Sequence, residues 1–178
     1  MELSELIDLA YKCGFSVAAE MNPSTLRFMP EVREMCSADK CHSYNKNWSC
    51  PPAAGKLEKI AAHCSLFDKG IIVQTIGQME DEFDIETMTE TGEKHKKAFE
   101  KFTDVLREIH LECFPMGMGA CTLCSKCTYP NEPCRFPDKV FPSMEACGLL
   151  VSEVCTDNCI KYYYGPDTLA YTSCVLYK

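Results

Sequence analysis

The residues in this chain best suited to chemistry are cysteines, and they fall into two groups. The first is Cys121-Thr-Leu-Cys124-Ser-Lys-Cys127-Thr-Tyr-Pro-Asn-Glu-Pro-Cys134, a C-x2-C-x2-C-x6-C run. Three thiolates at consecutive x2 spacings can each grip a different iron at one end of a 4Fe–4S cubane. The loop then turns its backbone N–H groups toward the sulfides and tunes the potential. One zinc ion asks for a different arrangement, a C-x2-C knuckle closed by a distant second pair. The run therefore predicts iron–sulfur ligation by Cys121, Cys124, Cys127 and Cys134, with structural zinc as the alternative.

The spacing resembles the cysteine run of bacterial ferredoxins, with two departures. The last gap is x6 rather than x3, and Pro133 precedes the final cysteine instead of following it. In two-cluster ferredoxins that last cysteine serves the other cluster; here Cys134 is read as closing its own. The second group is Cys36, Cys41 and Cys50, spaced C-x4-C-x8-C and followed by Pro51-Pro52. Three cysteines in irregular chain are poor core filling, because buried structural thiols normally sit where a helix or strand already satisfies the backbone. They are read as ligands of a second cluster. Trp48, the single tryptophan, either shields that cluster from water or simply packs. Three thiolates leave one iron corner free. Cys64, Cys113, Cys147 and His42 are the candidates to close it; otherwise it stays open to a small ligand.

The elements V-R-E-M-C-x4-C-x2-Y-x3-W-x-C-P-P-A-x-G, G-A-C-T-L-C-x2-C and P-C-R-F-P-x3-F-P-S-M-E-A-x-G resemble a family of predicted metal-binding proteins, domain of unknown function 2284. The resemblance runs from about Val32 to the C-terminus. It implies metal binding, iron–sulfur in kind, in organisms that are mostly anaerobes, and it implies no particular reaction. The matching positions are the seven cysteines of the two groups, with Arg135, Pro142, Ser143, Met144 and Glu145 as a flanking signature. Because they follow Cys134 closely, Arg135 and Glu145 are candidates to orient a bound ligand beside that cluster.

Composition agrees with metal chemistry and excludes several other classes. Fourteen of 178 residues are cysteine, which in a reducing compartment points to metal or redox work rather than disulfides. The acidic start, MELSELIDLAYKCGF, is unlike a secretory leader, and no apolar run reaches membrane-spanning length. A cytoplasmic protein is expected. A net charge of -8 argues against nucleic acid or an anionic membrane as partner. Charge is also uneven along the chain. Residues 33–59 carry five basic and three acidic side chains and 121–139 carry three and two, against five and eleven over 80–112. The cysteine groups thus lie in the more basic stretches, as an anionic cluster would favour. The chain contains no Walker loop, no G-x-S-x-G and no H-E-x-x-H. Gly117-Met-Gly119 lacks the third glycine of a dinucleotide loop. Cys155-x3-Cys159 has Tyr162 where a radical-enzyme motif needs cysteine.

The elements that must position these residues are legible in outline. Apolar spacing predicts helices over Leu3–Cys13, Leu57–Cys64 and Met144–Val154. A long helix should open with a Thr87-x-x-Glu90 capping box and keep Ala98, Phe99, Phe102, Val105, Leu106 and Ile109 on one face. Strands are expected at Phe15–Ala19, Gly70–Gly77, Phe114–Met118 and Tyr171–Tyr177, with Met21–Pro52 as loop. The strand–helix–strand succession around the long helix predicts a parallel crossover. The fold expected is α/β, with α+β as the variant: one domain over 1–178, a central mixed sheet of about four strands, and cysteine-rich loops at 33–55 and 119–142. Function follows from the loops: an iron–sulfur protein carrying electrons for a redox partner protein. The alternatives are an enzyme using an open iron of the Cys36/Cys41/Cys50 cluster on a small substrate, and a zinc-stabilised interaction protein.

Overall fold

Strand β2 (Lys69–Gln78) is almost entirely buried, so its alternate side chains must enter two different cores. In the computed structural model, which describes residues 1–178, Ile71 and Val73 join one apolar cluster and Ile72 joins another. Strand β4 (Thr168–Tyr177) alternates the same way, Val175 and Tyr177 against Cys174 and Leu176. A sheet apolar on both faces has to be covered on both faces. Helices α1 (Leu3–Cys13) and α4 (Ile85–Glu108) cover the first, sending in Leu6, Ala10, Phe99, Phe102 and Leu106. The second is covered by α3 (Leu57–Cys64), the 3-10 turn Glu145–Cys147 and α5 (Val151–Asp157). Phe99 and Phe102 are 2% and 0% exposed, each removing apolar area worth about 1.5–3 kcal/mol.

The result is an α/β fold on a four-stranded sheet ordered β1 (Val17–Met21), β2, β4, β3 (Cys113–Met116). Every strand pairing is antiparallel. The expected parallel pair does not form. The α4 crossover leaves a gap one strand wide between β2 and β3, and β4 fills it, bonding to both. The crossover strands therefore run in the same direction without touching. The only parallel link is the isolated Gly117–Ser143 bridge.

Local differences from expectation have local causes. Helix α4 starts at Ile85 rather than Thr87, because the Asp84 carboxylate accepts the Thr87 N–H at 2.9 Å and caps the helix earlier. The expected Met144–Val154 helix breaks in two at Gly148, whose φ of +76° ends the 3-10 turn. A Cβ there would meet the Met29 carbonyl oxygen at 2.9 Å, so glycine is needed for chain to approach chain. The segment read as loop contains helix α2 (Pro30–Ser37), which Pro30 begins rather than prevents.

One polar group is sealed inside the first core. His95 of α4 lies between Thr75 of β2 (Nδ1–Oγ1 2.9 Å) and Ser173 of β4 (Nε2–Oγ 2.7 Å) and is fully buried. Burial, with a smaller contribution from Lys96, lowers its pKa to about 3, so the imidazole is neutral and structural.

Candidate metal centre

The loop that carries the four-cysteine run leaves β3 and returns to almost the same place. Gly117 N–H donates to the Pro142 carbonyl at 2.9 Å, and Met144 N–H donates to the Gly117 carbonyl at 3.0 Å. With both ends clipped, residues 118–141 form an excursion anchored at one point of the sheet. Within it, Cys121, Cys124, Cys127 and Cys134 are all half-buried and line a single cavity with Trp48, Leu123 and Arg135. Burial pushes the Cys121 thiol up, and the sulfurs of Cys134, Cys124 and Cys127 push it further, while the Leu123 N–H pulls it back. The Phe136 N–H approaches Cys134 Sγ at 3.4 Å. Arg135 donates from Nη1 to the Lys126 carbonyl at 2.8 Å, tying the end of the cysteine run back to its middle.

Cys36, Cys41 and Cys50 line a separate, larger cavity of about 560 Å3. Cys36 stands in the last turn of α2, Cys41 is exposed, and Cys50 is buried. Burial raises the Cys36 thiol most; after it come the Glu145 carboxylate and Cys50, with Arg33 acting in the opposite sense. Cys50 is raised by burial too, countered by hydrogen bonds from Asn47 and Ser49 and by the charge of Lys96. Thiols that resist ionisation alone become thiolates when a metal replaces their protons, and the nearby cations favour that exchange.

The two cavities stand back to back and share two chain segments. Along 47–50, Asn47 and Trp48 face the four-cysteine cavity while Cys50 faces the larger one; along 120–121, Ala120 faces the larger one and Cys121 the smaller. Ser49 joins the segments. Its Oγ accepts the Cys121 N–H at 2.9 Å, donates to Asn47 Oδ1 at 2.7 Å and lies 3.9 Å from Cys50 Sγ. Lys96 of α4 donates to the Ala120 carbonyl at 3.0 Å. Tyr129 locks the loops from outside, donating to Asn45 Oδ1 at 2.6 Å and meeting Trp48 edge-on at 5.0 Å.

A family model described as predicted metal-binding protein (DUF2284) matches residues 19–177. The chain belongs to the DUF2284 family. No curated protein and no solved structure matches it significantly.

In this DUF2284 protein the seven cysteines read from the sequence as ligands line two cavities, three on one and four on the other. Of the two residues expected to orient a ligand beside Cys134, Arg135 lines the four-cysteine cavity with it, while Glu145, on the 3-10 turn, lines the wall of the larger cavity with Cys36. None of the four residues considered for closing the second site lies on that wall. Cys64 and Cys147 are buried in the second core, where burial raises Cys64 to about 12 and Cys147 further. Cys113 pairs with Tyr177 in the sheet, and His42 sits exposed in a left-handed turn. Ser49, Asn47 and Lys96 were not singled out in the sequence, and Arg33 entered only as one of the basic residues over 33–59. Their roles depend on contacts between distant segments, and no local spacing signals those.

Whether these residues fit a metal group can be judged from what they leave unsatisfied. The Trp48 Nε1 is buried with no hydrogen-bond partner, on the wall of the four-cysteine cavity. A buried N–H without a partner is costly, and sulfide or thiolate sulfur would accept it. Arg33, beside Cys36, buries Nε and Nη1 without partners while Nη2 donates to the Gly55 carbonyl at 2.7 Å. A donor set of all thiols with free N–H groups around it fits an anionic iron–sulfur group. The four-cysteine cavity itself is small, about 20 Å3, so its loop, free of regular structure, must spread to admit a cubane. The larger cavity has the room already.

Proposed function

We propose that this protein is an iron–sulfur protein with two adjacent 4Fe–4S centres, one on Cys121, Cys124, Cys127 and Cys134 and one on Cys36, Cys41 and Cys50, and that it passes electrons to or from a redox partner protein. The observation that carries this reading is the back-to-back arrangement of the two thiol sets, with one serine hydroxyl bonded into both segments. When bound, such clusters supply one-electron chemistry at potentials set by charge, hydrogen bonds and exposure. The chain's own contribution is positioning. Gly117 and Met144 anchor the loop, Ser49 fixes the spacing between the sets, Trp48 excludes water and offers an N–H, and Lys96 and Arg33 offset thiolate charge. The exposed Cys41 brings the second set to the surface, where a partner can approach it.

Two other readings each have an observation in their favour. The 560 Å3 cavity beside Cys36, Cys41 and Cys50 is of the size that holds small organic molecules, which favours an enzyme acting there. The 20 Å3 space among the other four cysteines suits one zinc ion. Against zinc, a tetrahedral site with bonds of about 2.3 Å needs sulfurs about 3.8 Å apart, and no three Cys, His or acidic side chains converge closely enough to hold a single ion. EPR of the reduced protein separates the readings. Two centres that interact magnetically are expected, with Cys124→Ser removing one signal and Cys50→Ser the other. A protein silent in EPR that carries zinc refutes the proposal.

A further inference from the structure

We propose that the Glu145 carboxylate is the fourth ligand of the Cys36/Cys41/Cys50 centre, held on the iron corner that three thiolates leave free. This rests on reading the trio as a cluster site. Among the Cys, His, Asp and Glu side chains of the chain, only Cys36, Cys41, Cys50 and Glu145 line that cavity. Four ligand-forming groups therefore line one roomy space, spread around its wall rather than converged on a point, although only three were apparent from their spacing along the chain.

Glu145 is held in place by the elements on either side of it. Ser143 Oγ accepts the Ala146 N–H at 3.0 Å and starts the 3-10 turn, and the Gly148 carbonyl accepts the Met29 N–H at 2.8 Å, docking the turn against α2. Cys36 lies on α2, so carboxylate and thiol are positioned by one interface. The carboxylate is half-buried, and neither a hydrogen-bond donor nor a cation of the protein is paired with it. A partly desolvated carboxylate usually has such a partner. Here the metal-ligating groups that share its cavity are three thiols. Arg33 beside Cys36, Lys40 on the cavity wall and Lys96 beside Cys50 offset the charge that four anionic ligands bring together.

An oxygen ligand is harder than thiolate and binds iron less firmly. The Glu145 corner is therefore the exchangeable one, and it opens onto the cavity where a small molecule would enter. The test uses anaerobically purified wild type, Glu145→Ala and Glu145→Cys, each oxidised with limiting ferricyanide and assayed for iron, sulfide and EPR. The wild type is expected to keep about eight irons per chain. Glu145→Ala should fall to about seven and gain the signal of an oxidised three-iron cluster, while Glu145→Cys keeps the iron. An unchanged signal from the Cys121–Cys134 centre in each variant shows that the fold is intact. If Glu145→Ala matches the wild type in iron content and spectrum, the carboxylate is not a ligand, and the two-cluster reading stands. If the wild type itself holds about four irons and one signal, the second cluster falls and takes this ligand with it.

Discussion

Ser49→Ala probes the junction between the two cysteine sets. Its hydroxyl is the acceptor of the Cys121 N–H at 2.9 Å and a donor to Asn47 Oδ1 at 2.7 Å, and Ser49 and Asn47 are 2% and 8% exposed. Alanine keeps the shape and removes both bonds. Asn47 Oδ1 keeps the Ser49 N–H at 3.1 Å, so that loss is about 0.5–1 kcal/mol, while the stranded Cys121 N–H costs about 1–3 kcal/mol. A total of about 2 kcal/mol corresponds to a drop of roughly 4–8 °C in unfolding midpoint for a chain of this length. The assay is anaerobic thermal unfolding followed by circular dichroism, with Ser65→Ala as control. The Ser65 hydroxyl donates to the Ala62 carbonyl at an exposed helix end, and its removal should cost under about 0.5 kcal/mol. Equal midpoints for Ser49→Ala and Ser65→Ala would refute the idea that this serine ties the two loops together.

Other consequences can be measured separately. Trp48→Phe keeps the edge contact with Tyr129 but removes the unpartnered indole N–H; redox titration should find one cluster shifted to more negative potential and the other unmoved. Gly148→Ala places a methyl against the Met29 carbonyl at a φ of +76°. It should destabilise the fold by about 1–3 kcal/mol and lower iron occupancy at the Cys36/Cys41/Cys50 site before the other. The folded pKa of His95 lies below its unfolded value, about 3 against 6.5. Its contribution is therefore complete above the unfolded pKa and is lost as pH falls from about 6.5 toward 3, by an amount on the order of 4–5 kcal/mol. His95→Gln should flatten that part of the pH–stability curve in chemical unfolding.

What could be read from the sequence was whatever depends on neighbours in the chain. The β-branched run Ile71-Ile72-Val73 announced β2, the Leu57, Ile60 and Cys64 spacing announced α3, and the x2 spacings announced the four-cysteine set. What could not be read depends on distant segments meeting. Insertion of β4 between β2 and β3 is decided by the C-terminal strand, about sixty residues after the crossover begins its return. The break at Gly148 is decided by the close approach of Met29, the residue just ahead of α2. Glu145 follows Cys134 by eleven positions yet lines the cavity of Cys36, because the clip at Gly117 returns the chain to the sheet and the 3-10 turn packs on α2.

The central claim is that the cysteines of both loops hold iron and sulfide. Iron, acid-labile sulfide and zinc determined per chain, on protein that has never met oxygen, test it most directly. The account predicts about eight irons, an equal amount of sulfide and no zinc. Zinc without sulfide would contradict it.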